Sequence, residues 1–163
     1  MCVTGEMSRV NITVLLILHG LAAVLLIGAI THQAIGVWKS RPAPSSTFFQ
    51  SLVNVRGMTY VNAIVILYVL TAVLGALVYP RYVLDVKGSL LDAVMNSAIG
   101  AFEVKEHLAI VGLAMLPSYW YLWKKVPATE HRLSRQINTT LIAVLAWSAF
   151  FVGHVLNNIK GLV

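Results

Sequence analysis

The stretch that decides the fold is "MTYVNAIVILYVLTAVLGALVY", which runs from Met58 to Tyr79 without a charged residue. It is about as long as the roughly 20 apolar residues with which an α-helix crosses a bilayer. Asn62 and Tyr68 are its notable polar side chains. The stretch therefore predicts a transmembrane helix.

The composition of the whole chain agrees with a membrane protein. Apolar residues make up 58% and charged residues 11% of the 163 positions, whereas charged residues make up about 25% of a soluble domain. A soluble protein of this composition would expose large apolar patches. We therefore predict one integral-membrane domain, residues 1–163, in a lipid bilayer. The net charge of +6 comes from Lys and Arg between apolar stretches, a pattern that indicates topology and not nucleic-acid binding.

Four stretches are long enough to cross a bilayer. They are Val10–Trp38, Met58–Tyr79, Ala101–Trp123 and Ile137–Ile159. The predicted fold is an all-α, four-helix transmembrane bundle. Ser89 and Asp92 form a capping box, which predicts an interfacial helix before the third span.

The distribution of basic residues predicts the orientation of the bundle. The first and third loops contain seven Lys or Arg: Lys39, Arg41, Arg56, Lys124, Lys125, Arg132 and Arg135. The opposite side contains Arg9, Arg81, Lys87 and Lys160, with Lys105 at a helix mouth. Because basic loops stay in the cytoplasm, we predict both termini outside it, in a bacterial or archaeal inner membrane.

Three histidines on three predicted helices lie near the same end of the bundle. His19 follows the start of the first span, His107 follows the start of the third, and His154 precedes the end of the fourth. Successive spans alternate in direction, so the three side chains lie at similar depth. Ionisable residues within a span usually face the bundle interior and mark a function, which predicts a shared site.

Charged and amide side chains accompany these histidines. Glu103 and His107 are four residues apart and share a helix face, with Glu106 close to it. Lys105 points about 200° from Glu103, so we predict that Glu103 and His107 face the bundle while Lys105 reaches the headgroups. On the fourth span, a similar stripe contains His154, Asn157 and Asn158.

This arrangement suits haem b. Histidines from facing helices can ligate haem iron, and we predict His19 with His154 or His107 as axial ligands. Haem propionates need donors, which the same end supplies as Arg81, Lys105, Lys160, Asn157 and Asn158. Glu103 or Glu106 can orient a ligating imidazole. Glycines beside the histidines would let a macrocycle approach the backbone: Gly20, Gly112 and Gly153.

Two other interpretations remain open. Histidines with carboxylates also suit non-haem iron, copper or zinc, with His19, His107, His154, Glu103 and Glu106 as ligands. Alternatively, the polar groups are structural, and the chain is a non-catalytic subunit of a membrane complex. His32 lies roughly 140° around the helix from His19, which makes a second haem the weaker reading and favours an interfacial role.

The four spans with intramembrane His19, His107 and His154 resemble small four-helix membrane cytochromes b. The resemblance implies electron transfer by a haem b subunit, between quinol and a periplasmic or complex-bound carrier. Other membrane or periplasmic redox subunits would be its partners. The chain departs from the family pattern, in which paired histidines bind one haem near each membrane face. Whether the chain is itself an enzyme stays open.

Overall fold

The part of the chain that the structure describes forms four long helices. The computed structural model describes residues 3–38, 57–88, 96–127 and 129–159. Outside the turn that joins the last two helices, everything in these ranges is helical. The helices are α1 (Val3–Trp38), α2 (Gly57–Arg81), α3 (Asn96–Lys124) and α4 (Arg132–Ile159).

A π-helical segment, Tyr82–Lys87, continues α2 beyond Pro80 and Arg81. Pro80 lies in the last turn of α2, directly before the change to the π-helical pattern. The capping box at Ser89 and Asp92, and with it the interfacial helix predicted before the third span, lies outside the described residues.

Three of the helices are long and apolar enough to cross a membrane, namely over Asn11–Trp38, Gly57–Asp85 and Arg132–Asn158. This confirms the all-α fold, and three of the four predicted spans coincide with helices that could cross a membrane. Helix α3 has sufficient length but a less apolar composition, because Glu103, Lys105 and Glu106 fall within it.

The helices form a ring of antiparallel neighbours. Helix α1 packs on α2 and α4, and α3 packs on α4 and, less closely, on α2. The central core consists of apolar side chains from all four helices, including Ile30, Ile64, Leu116 and Ile142. A smaller apolar cluster, where the chain leaves α2 and α3 begins, contains Tyr82, Ala98 and Ile99. The outward surface is largely apolar, as contact with lipid requires.

Candidate functional site

His19 lies half-buried between α1 and α2. Its Nδ1 is 3.0 Å from the backbone oxygen of Thr71. Its Cε1 is 3.2 Å from the position that a Cβ would occupy at Gly75. The imidazole of His19 therefore points at the backbone of α2, which the absence of a side chain at Gly75 allows.

His107 and His154 lie on exposed surfaces of α3 and α4. The Nδ1 atom of His107 is 2.6 Å from the carbonyl oxygen of Glu103, one turn earlier. The ring of His154 is nearly parallel to that of Phe150, with centroids 6.4 Å apart. Asn158 donates a hydrogen bond of 2.9 Å to the carbonyl of His154. Both imidazoles therefore border the outside of the bundle.

The structure places Glu103 and Lys105 the other way round from the prediction. The side chain of Glu103 is 52% exposed and accepts a hydrogen bond of 2.8 Å from Lys87. Lys105 turns inward, with Nζ 4.2 Å from the centroid of the Phe102 ring. Its Nζ also lies 3.9 Å from the position of a Cβ at Gly153. The helical spacing correctly separated the two faces, but the prediction assigned them to the wrong environments.

The physical reason lies in the neighbours of each side chain. The π-helical segment after α2 carries Lys87 to the outer side of Glu103, which gives the carboxylate a partner in an exposed position. The long alkyl stem of Lys105 packs where Gly153 has no side chain, and a lysine stem readily covers apolar surface. The hydrogen bond and charge of Glu103 raise the pKa of Lys87. That pair is exposed, so it adds little to stability.

Other residues predicted to contact haem propionates have different surroundings. Arg81 forms an ion pair of 3.5 Å with Asp85. Asn157 and Asn158 are exposed on α4. Lys160 lies outside the described residues. Glu106, predicted instead to orient an imidazole or to ligate a metal, is partly exposed.

The three glycines predicted to admit a macrocycle also differ from one another. Gly112 is covered by the ring of Tyr68, whose Cζ is 2.8 Å from the position of a Cβ there. Gly153 faces Lys105, and nothing lies within 4 Å of a Cβ at Gly20. Tyr68 thus occupies the space beside Gly112, where the sequence suggested room for a cofactor.

Within the described ranges, no group of three or more His, Cys, Asp or Glu side chains could hold a metal ion. Two apolar grooves, one between α2 and α3 and one between α1 and α2, have no histidine in their linings. His19 faces the backbone of α2, whereas His107 and His154 lie on exposed surfaces of α3 and α4. One feature does suit ligation. The Nδ1 atoms of His19 and His107 each meet a backbone oxygen, which leaves Nε2 for iron, as in many metal-ligating histidines.

His32 lies near the opposite end of α1. Its ring is 4.9 Å from that of Tyr60 on α2, at an angle of 38°. This contact places His32 between α1 and α2, and the interfacial role favoured for it stays a prediction.

A buried polar layer near the α3–α4 turn was missed by the sequence reasoning. Gln33 is fully buried; it accepts a hydrogen bond from the Tyr119 hydroxyl and donates one of 2.8 Å to the Gly57 carbonyl. Trp123 donates to Thr139 over 3.0 Å. Tyr119 and Trp123 are four residues apart, so they share a helix face. That spacing was the available signal, although aromatic residues at a helix end are also typical of the membrane interface.

Arg135 completes this layer at the start of α4. Its Nε donates to the Leu122 carbonyl over 2.7 Å, and its guanidinium also donates to the Val126 carbonyl. Leu122 lies in the last turn of α3, where carbonyls lack a partner within the helix, and Val126 lies just beyond the helix end. The layer therefore has a structural role.

Comparison with family models, with curated proteins and with solved structures finds no match to this chain. The function proposed below is therefore argued from the placement of its own residues.

Proposed function

We propose that this chain is an integral-membrane subunit of a larger membrane assembly. The observation that carries the proposal is a polar flank on the outward faces of α3 and α4, near one end of the bundle. Its exposed side chains are Glu103, His107, His154, Asn157 and Asn158. A partner subunit that covers this flank would contact groups that lipid tails cannot hydrogen-bond.

The contrast with the rest of the surface supports this proposal. The exposed positions of α2 are apolar over several turns, for example Ile66, Leu70, Val73 and Leu77, as expected for a face in contact with lipid. Ionisable and amide side chains within spans are costly and usually face protein or a water-filled cavity. In the polar flank they face outward, so the protein that they face would be another chain.

A photo-crosslinking amino acid tests the proposal. In native membranes, we expect substitution at His107 or His154 to give discrete crosslinked protein bands upon illumination. The same amino acid at Leu70 or Val73, on the exposed apolar face of α2, is the control and is expected to react with lipid alone. If the four positions give the same result, the polar flank is not a subunit interface.

We further propose that all four helices cross the membrane with both termini outside the cytoplasm, as the basic-residue count predicts. In a Cys2→Ser background, we expect Gly88→Cys to react with a membrane-impermeant maleimide in intact cells. Glu130→Cys, in the α3–α4 turn, is expected to react only after permeabilisation. Both positions lie outside the apolar parts of the helices. The reverse pattern would contradict the orientation, and equal labelling would show that α3 does not cross.

Haem b is the second candidate, with electron transfer between quinol and a periplasmic or complex-bound carrier as its function. The Nδ1 atoms of His19 and His107 each contact a backbone oxygen. These contacts favour haem binding, because they fix the tautomer in which Nε2 is available to the iron. Because His107 and His154 are exposed on the outer surfaces of α3 and α4, a partner subunit would supply part of such a site. Haem with two histidine ligands would serve electron transfer.

The absorption spectrum of the assembly, purified from native membranes in mild detergent, tests this candidate. With haem bound, we expect a Soret band whose amplitude falls at least severalfold in His19→Ala. His131→Ala is the control, because His131 is exposed in the α3–α4 turn, and its spectrum should equal that of the wild type. A wild-type assembly without a Soret band would exclude haem and leave the subunit proposal intact.

A further inference from the structure

A lateral groove between α2 and α3 has two chemically different ends. Its volume is about 580 Å³, and its lining is almost wholly apolar. The lining side chains are Val65, Val69, Leu113, Leu116, Pro117, Trp120 and Tyr121. The groove lies where α2 and α3 pack less closely than the other neighbouring helices, and its outer side opens to the surroundings of the bundle.

Two lysine side chains lie at the end of this groove that is lined by aromatic residues. The Nζ atom of Lys125 lies 5.8 Å from the centroid of the Trp120 ring. The Nζ atom of Lys124 lies 3.5 Å from the Met58 carbonyl, at the start of α2, which is a long contact that leaves the ammonium accessible. Both lysines are at the end of α3 that bears the turn to α4. The groove thus leads from an apolar interior to two ammonium groups at the level of the interface.

We propose that this groove binds an anionic phospholipid, with an acyl chain along Val69, Leu113 and Leu116 and the phosphate at Lys124 and Lys125. The volume is within the roughly 300–1,000 Å³ of ligand sites, and basic pockets between transmembrane helices bind anionic headgroups. An acyl chain fits an apolar groove that opens sideways into the bilayer. The basic-residue count predicts that these lysines lie on the cytoplasmic side, where the leaflet is rich in anionic lipid.

The groove between α1 and α2 provides an internal comparison. It is smaller, about 260 Å³, and is lined by leucines and one alanine: Leu18, Leu21, Ala22, Leu25, Leu67, Leu70 and Leu74. None of these lining residues is basic. This groove could therefore hold an acyl chain but has no group that would select an anionic headgroup. The anionic-lipid proposal therefore applies to the α2–α3 groove alone and depends on α3 crossing the bilayer.

Quenching of tryptophan fluorescence by lipids with brominated acyl chains tests the proposal on the full-length protein in detergent micelles. Trp120 lines the groove, so an occupied groove brings bromine to its ring. We expect brominated phosphatidylglycerol to quench the fluorescence of Trp120 at a several-fold lower mole fraction than brominated phosphatidylcholine. Trp120→Phe should remove this low-concentration component and leave the quenching of the other tryptophans.

Two pairs of variants separate the headgroup from the acyl chain. Lys124→Gln and Lys125→Gln are each expected to weaken the binding of phosphatidylglycerol about fivefold, the equivalent of ~1 kcal/mol per basic residue near a membrane surface. Neither substitution should change the binding of phosphatidylcholine. Lys87→Gln, at the opposite end, is the control for loss of charge. Val69→Phe should weaken the binding of both lipids, because the larger side chain fills the groove. Leu70→Phe is the control and should leave binding unchanged. Leu70 lines the neighbouring groove and, like Val69, is 43% exposed.

The possible results are decisive in either direction. Equal quenching by the two lipids in the wild type would overturn the headgroup assignment. Quenching that persists in Trp120→Phe, or that is unchanged in Val69→Phe, would overturn the groove as the site. Circular dichroism and thermal unfolding of each variant establish that it is folded before its lipid binding is compared.

Discussion

Gly112→Ala is expected to lower the free energy of unfolding by about 1–3 kcal/mol, the usual cost of overpacking a core. A Cβ at position 112 would lie 2.8 Å from Cζ of Tyr68 and closer still to its hydroxyl oxygen. Tyr68 cannot easily move away, because it is buried and its hydroxyl donates a hydrogen bond of 3.1 Å to the Ala109 carbonyl. Relief therefore requires α2 and α3 to separate or the hydrogen bond to break.

Thermal unfolding in detergent micelles measures this effect against Gly28→Ala. Nothing lies within 4 Å of a Cβ at Gly28, so that variant should be neutral or slightly stabilised, because alanine is the better helix former. The double variant Gly112→Ala/Tyr68→Leu should lose less stability than the sum of its single variants, since the shorter side chain removes the collision. If Gly112→Ala is as stable as Gly28→Ala, the close contact between Tyr68 and α3 does not exist.

Much of the fold follows from the pattern of the sequence. Long apolar stretches predict helices, and the described residues form a helix over each of the four stretches, three of them apolar enough to cross a membrane. The depth of polar side chains was also predictable. His19 contacts Thr71, and Tyr68, one turn before Thr71, contacts Ala109. His19 and His107 are therefore at similar depth, as counting residues from the helix ends suggested.

The direction of each side chain around its helix could not be predicted in the same way. Periodicity shows that Glu103 and Lys105 lie on opposite faces of α3, but the face that turns inward depends on what neighbouring helices present. Here Gly153 of α4 leaves space for Lys105, and Lys87 after α2 pairs with Glu103. A helix with polar residues on both faces carries no strong preference in its own sequence, so its rotation is decided by packing.

A similar limit applies to the polar groups that a sequence brings to attention. His19, His107 and His154 were selected because ionisable residues within spans tend to be functional. Gln33 received no role, although it is fully buried between three helices. A neutral amide attracts less notice than an imidazole in a sequence, yet in an apolar bundle its unpaired donor or acceptor would cost about 1–3 kcal/mol.

Gln33→Leu is therefore expected to be clearly destabilising, at about 1–3 kcal/mol from one orphaned buried partner. The Tyr119 hydroxyl would lose its acceptor, whereas the carbonyl of Gly57, the first residue of α2, would lose a second donor but can still accept from the backbone of the next turn. The surroundings of Gly57 are closely packed, because Trp123 lies 2.8 Å from the position of a Cβ there. The close packing around Gly57 makes replacement of the lost bonds by water difficult.

Comparison with Asn62→Leu separates this effect from a general response to loss of an amide. Asn62 is exposed on α2, so its replacement should change stability by no more than about 0.5 kcal/mol. Tyr119→Phe removes the second partner, and Gln33→Leu/Tyr119→Phe should be less destabilised than the sum of the single changes, because no hydroxyl is then left unpaired. The midpoints of thermal unfolding in one detergent measure all four variants. Additive effects would mean that Gln33 and Tyr119 do not stabilise the bundle through their shared hydrogen bond.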